Sequence, residues 1–140
     1  MIACIDTNVF VQASKAGHPL HVIFTSWLQR KFLWALSNDI LAEYEEILVQ
    51  RSGRQRWFQF GRVLDLAEAQ GGLLLKVQPS FQFHVIAADP DDNKFIDCAI
   101  TAGADYAITE DSHFDPLANA GYKPKPIKPQ EFIQRHLDGT

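Results

Sequence analysis

The sequence predicts an α/β fold, a three-layer α/β/α sandwich around a central, mostly parallel sheet. Two observations carry this. Short, mostly apolar runs (Ile2–Ile5, Phe32–Leu36, Leu73–Val77, Tyr106–Thr109) alternate with longer segments in which apolar residues recur at helical spacing. Strands with no polar side must be covered on both faces, as parallel sheets are by their crossover helices. At 140 residues and 46% hydrophobic the chain is long enough for one domain with its own core, and residues 1–140 are read as a single domain.

Ile2–Ile5 is the first strand, and it ends in Asp6-Thr7-Asn8, where a helix starts with Thr7 or Asn8 as its cap. Val9, Phe10 and Val11 continue the apolar pattern until Gly17-His18-Pro19 breaks it. A second helix runs from about Leu20 to Arg30, with Ile23, Phe24, Trp27 and Leu28 on one side. After the strand Phe32–Leu36, the cluster Ser37-Asn38-Asp39 caps a strong helix over Ile40–Gln50, and Gly53 ends it. A further helix spans Arg54–Gln70 and closes at Gly71-Gly72, although Gly61 interrupts its pattern.

Leu73–Val77 is strand-like. Between Pro79 and Pro90 the alternation of Phe81, Phe83 and Val85 fits a loop or an edge strand equally well. A helix over Asp92–Ala102, a turn at Gly103 and the strand Tyr106–Thr109 follow. A short turn or helix comes after Asp111, with Phe114 and Leu117 available to pack. Pro124 to Pro129 excludes an interior strand, because proline removes ladder donors, and leaves an edge strand centred on Ile127. Glu131–Leu137 is the last helix.

Composition narrows the function classes. No apolar run approaches the ~18 residues that span a bilayer, and MIACIDTNVF has no basic leader, so a cytoplasmic protein without a membrane partner is expected. Cys4 and Cys98 lie in apolar runs without metal-ligand spacing and read as reduced core residues. The net charge of −4, from 13 basic and 17 acidic residues, argues weakly against a nucleic-acid partner. Bound divalent cations would reverse that local field.

The placement of the acids points to a site. Ligands of parallel α/β sheets bind beyond the carboxyl ends of the strands. Asp6 and Asp111 each fall within two residues of a strand end, so the fold brings these distant acids to one edge. On the helix Ile40–Gln50, at ~100° per residue, Glu46 faces solvent while Glu43 and Glu45 flank the apolar arc. Glu43 is preferred because it lies in the first turn, beside the strand ends. On the next acid-bearing helix the wheel places Asp92 near the centre of the apolar side, with Asp91 and Asp97 well off it. Asp92 reads either as a helix cap or as a ligand. Converging carboxylates repel one another unless neutralised. Mg²⁺ or Mn²⁺, hard cations that take oxygen ligands and bind phosphate, is the usual solution, and such a site activates water for in-line displacement at a phosphodiester.

Four segments in order extend this reading: IDTNVF, SNDILAEYEEIL, DPDDNKFIDCAITAGADYAITED and KPIKPQEFI. Together they resemble the PIN-domain ribonucleases, many of which are the toxin half of bacterial toxin–antitoxin pairs. The resemblance implies cleavage of RNA with Mg²⁺ or Mn²⁺ by four acids, Asp6, Glu43, Asp92 and Asp111. An alternative alignment makes Asp97 the third ligand. Thr109 and Asn8 match polar residues that orient carboxylates or waters. The resemblance also implies an antitoxin protein as a partner.

Competing readings are a PIN-like binding module with a silent site and aspartyl-phosphate chemistry. The second wants another Asp two residues after Asp6, where Asn8 stands. Arg54–Arg62 mixes basic and aromatic residues and reads as an RNA-stacking segment or, with Trp57 and Phe60, as helix-packing or homodimer surface. Lys123, Lys125 and Lys128 read as phosphate contacts or a solvated edge, and His113 as a surface residue or a group near the metal.

Overall fold

The computed structural model describes residues 1–79, 90–121 and 123–137, at 90–92 by the backbone alone. The expected alternation between Pro79 and Pro90 lies outside the described residues, apart from its two ends. Among the described residues five strands form one all-parallel sheet in the order β3-β2-β1-β4-β5: β1 Ile2–Ile5, β2 Leu33–Leu36, β3 Leu74–Lys76, β4 Tyr106–Ile108 and β5 Lys125–Ile127. The consecutive residues Ala3, Cys4 and Ile5 are all buried, as are Trp34, Ala35 and Leu36. Successive strand residues point to opposite faces, so both faces of the central strands are covered, and the sandwich follows.

The helices fill the gaps where the periodicity placed them: α1 Thr7–Ala13, α2 Val22–Leu28, α3 Asn38–Ser52, α4 Arg54–Gln70, α5 Pro90–Ala102 and α6 Pro129–Phe132. Ser37 caps α3, its hydroxyl accepting from the Ile40 amide at 3.2 Å. Gly53 separates α3 from α4 at φ 91°, a conformation costly for any residue with a Cβ. Gly61 does not break α4, because flanking Phe60 and Ala67 anchor that helix to the core.

Several boundaries differ from expectation, α3 among them, which runs over Asn38–Ser52. The helix expected over Leu20–Arg30 is a 3₁₀ turn, Pro19–His21, with Pro19 at its first position, followed by α2; His18 caps the turn through Nδ1, 3.0 Å from the Leu20 amide. Helix α5 starts at Pro90, since proline suits a first helical position. The last helix begins at Pro129 and continues as a π-helical turn over Ile133–Leu137. Proline in β5 is tolerated because that strand is the sheet edge.

An aromatic core fastens the helices to the sheet. Phe10 of α1 stacks on Tyr44 of α3 at 4.1 Å between ring centres, and Phe60 of α4 meets Phe10 edge-on at 4.8 Å. Trp27 of α2 packs perpendicular to Trp34 of β2 at 4.9 Å and donates its indole N–H to the Leu73 carbonyl at 2.7 Å. Each of these buried side chains contributes about 1.5–3 kcal/mol through removal from water. Phe60 is therefore a core residue and Trp57 packs against the core, while Phe58 between them is exposed. Among the described residues no helix is long and apolar enough to cross a membrane.

Candidate functional site

The strand order creates the site's location. The chain builds β1, β2 and β3 outward in one direction, then returns to place β4 on the other side of β1. Such a switch point opens a crevice at the carboxyl ends of the two strands it separates. In register, Ile5 lies opposite Ile108, and Ile108 opposite Ile127. The next residues across these strands are Asp6 and Thr109, and the ladder extends to them: the Asp6 amide donates to the Ile108 carbonyl at 2.9 Å and the Thr109 amide to Ile127 at 3.0 Å.

Both oxygens of Asp6 are oriented. Oδ1 accepts from the Thr7 amide at 2.7 Å, so that Asp6 itself caps α1 in place of the expected Thr7 or Asn8. Oδ2 accepts from the Thr109 hydroxyl at 2.7 Å. That hydroxyl, on a residue only 4% exposed, also accepts from the Asp111 amide at 3.0 Å. One oxygen atom thus joins the acid after β1 to the backbone of the acid after β4. Asp111 in turn caps the 3₁₀ helix Ser112–Asn119, accepting from the His113 amide at 2.9 Å. Phe114 and Leu117 anchor that helix in the core, which fixes where Asp111 stands.

Glu43 arrives from the first half of α3. The Thr7 hydroxyl donates to its Oε2, linking it to the Asp6 cap across thirty-six positions of sequence. Tyr44 secures the same junction from within: its hydroxyl donates to the Ile5 carbonyl, and burial pushes the phenol's pKa well up, keeping it a donor. Glu45 lies on another flank of α3, where it lines a shallow hollow with Val49 and Arg54, and Glu46 is exposed.

Asp92 occupies the first turn of α5, and its side chain lies outside the described residues, as does that of Asp91. Asp97 differs from the helical-wheel expectation, being buried with 7% exposure. Helix α5 packs against β1, β2, β4 and α3, so it is covered on more than one side, and Phe95–Ala99 is buried without interruption. A wheel that assumes one apolar side misplaces any polar residue on such a helix. Asn8, expected beside the carboxylates, is exposed. Thr7, whose hydroxyl donates to Glu43, has both of its helical neighbours Phe10 and Val11 buried, whereas Asn8 has only Val11, its other neighbour Gln12 being half-buried. His113 is exposed, with Nδ1 3.5 Å from Asp111.

Among the described residues no three carboxylate, imidazole or thiol groups are gathered closely enough to hold a metal ion. The donors that are placed fit a hard divalent cation: Asp6, Glu43 and Asp111 offer only oxygen, and buried threonine hydroxyls orient the first two. A further acid from α5 would complete the set. By contrast, an apolar cavity of about 190 Å³ between α2 and α4, lined by Phe24, Trp27, Arg56 and Phe60 among others, contains none of these acids.

A model of the PIN domain matches residues 3–113, from β1 to just past Asp111. The chain belongs to the PIN domain family. The matched span contains Asp6, Glu43, Asp92, Asp97 and Asp111 and stops short of β5 and α6. No curated protein and no solved structure matches the chain. PIN domains are generally nucleases that use divalent metals, and in this one the Thr109 hydroxyl joins Asp6 to the backbone of Asp111 at the switch point.

Proposed function

We propose that residues 1–140 form one PIN domain that acts as a metal-dependent endoribonuclease, hydrolysing RNA phosphodiester bonds with Mg²⁺ or Mn²⁺. The observation that best supports this is the Thr109 hydroxyl, which donates to Asp6 and accepts from the Asp111 amide at the switch point. Asp6, Glu43, Asp92 and Asp111 would hold the cation, with Asp97 buried on the same helix as Asp92 as the other candidate acid. When bound, a divalent cation supplies Lewis acidity toward a phosphate oxygen and lowers the pKa of water.

The protein's own contribution is orientation. The Thr7 and Thr109 hydroxyls donate to the carboxylates of Glu43 and Asp6, and the Tyr44 hydroxyl donates to the Ile5 carbonyl at the strand end that carries Asp6. Charges held in place before substrate arrives need no reorganisation during the reaction.

The test is cleavage of single-stranded RNA by the purified protein. Fragments should appear with Mn²⁺ and cease with EDTA; cleavage that survives EDTA contradicts the metal requirement. Asp6→Asn, which keeps shape and removes a charge, should fold and lose cleavage, and an active Asp6→Asn protein contradicts the site. The toxin role, with an antitoxin protein as partner in the cytoplasm, is supported by the resemblance to toxin members of the family. Induced expression in bacteria should then arrest growth with the wild type and not with Asp6→Asn.

A further inference from the structure

Three lysines near the C-terminus, Lys123, Lys125 and Lys128, share one sequence neighbourhood but occupy three different environments. Lys123 pairs with Asp105 at 2.6 Å, and Asp105 precedes β4, at the end of the sheet opposite Asp6. Lys125 donates to the Ala118 carbonyl at 3.3 Å. Lys128 is the residue after β5, so Asp6, Thr109 and Lys128 follow one another across three adjacent strands at the same edge. Lys128 is exposed and lines a cavity of about 290 Å³ with Thr109 and the carboxylates Glu110, Asp111, Asp115 and Glu131.

A second cavity, of about 160 Å³, lies on the α3 side. It is lined by Glu43, Asp39 and Glu46 of α3 and by Lys94 of α5, which is also exposed. The two cavities share a pattern: each contains one proposed cation ligand, Asp111 or Glu43, and one lysine. A lysine beside carboxylates alone gains little from an incoming phosphate. Where a divalent cation offsets the ligand carboxylate of each cavity, the ammonium adds to the positive charge that an incoming phosphate meets there.

Resting on the endoribonuclease reading, we propose that the RNA backbone crosses the site from one cavity to the other, with Lys94 and Lys128 each holding a phosphate that flanks the cleaved one. Lys123 has no part in this track. The acidic net charge of the chain is then compatible with RNA binding, because the contacts are few and local to the site.

Counterion release provides the measurement. For single strands the slope of log K against log salt falls by about 0.7 for each phosphate contact removed. A short fluorescein-labelled single-stranded RNA of mixed sequence is titrated by anisotropy with the full chain at fixed low Mn²⁺ and rising KCl. Lys94→Gln and Lys128→Gln should each reduce the slope by about 0.7 and the double variant by about 1.4, while Lys123→Gln keeps the wild-type slope. Wild-type slopes in both site variants, or no RNA binding by the wild type, overturn the track. Gel analysis of the same samples reads cleavage separately. Reduced slopes without any cleavage would contradict the nuclease reading while sustaining the track.

Discussion

The two ends of the central strands each carry an aspartate at a strand junction, and the two are held in different ways. Before β4, Asp105 receives the Lys123 ammonium at 2.6 Å and the Ile2 amide at 2.9 Å. These contacts, with Lys123 the largest influence, hold its carboxyl below the ordinary carboxylate pKa. After β1, Asp6 is oriented by a hydroxyl and an amide, with a second acid connected through the same hydroxyl. Asp105 ties two strands together and has its charge answered within the protein. Asp6 is held rigidly in a crevice that collects further acids. The difference teaches that a strand-end acid is diagnostic only through the company it keeps.

Several changes would break or sharpen this contrast. The largest effects are expected at the carboxyl edge: Glu43→Gln and Asp111→Asn should each reduce RNA cleavage by about a hundredfold or more, the order of loss when a preorganised electrostatic group is removed. Thr109→Val keeps the shape and deletes the hydroxyl shared by Asp6 and Asp111. Cleavage and Mn²⁺ affinity should fall by roughly 10–100-fold, the usual cost of losing a group that orients a ligand. Wild-type values for both would show that the hydroxyl is incidental.

Tyr44→Phe separates packing from anchoring, since the ring stays on Phe10 while the Ile5 carbonyl loses a buried donor. Chemical denaturation should show a loss of about 1–3 kcal/mol. Asp105→Asn, at the other edge, should cost about 1 kcal/mol or less, as for a partly exposed pair, and leave cleavage unchanged. Because the folded carboxyl titrates below the unfolded one, its stabilisation is present above the unfolded pKa and disappears as pH falls through the folded value. The stability difference between wild type and Asp105→Asn should therefore shrink on acidification and vanish once both states are protonated.

Much of this was legible in the sequence. The buried strands and helix periods are strong local patterns, and helix α4 runs over the expected residues because its two flanking glycines punctuate it. The rule that sites lie at strand carboxyl ends sufficed to bring Asp6 and Asp111 to one edge. A first-turn position favours Glu43 in the sequence, but α3 begins two residues before the expected Ile40, which puts Glu43 in the second turn, where the Thr7 hydroxyl donates to it. What was not legible depends on packing between elements. Asp97 is buried because α5 is covered by both the sheet and α3, which the wheel of a single helix does not contain. Asp6 caps α1 in place of Thr7 or Asn8 because strand and helix meet at that one residue: its amide donates to Ile108 while its carbonyl accepts from the Phe10 amide, and Asn8 is exposed.

The central claim is that the crevice between β1 and β4 holds its acids for a divalent cation. Calorimetric titration of Mn²⁺ into the metal-free wild type and the folded Asp6→Asn protein tests it most directly. Saturable binding by the wild type that is lost or weakened at least tenfold in Asp6→Asn is the expected result. Equal binding by the two proteins, or no binding by the wild type, would contradict it.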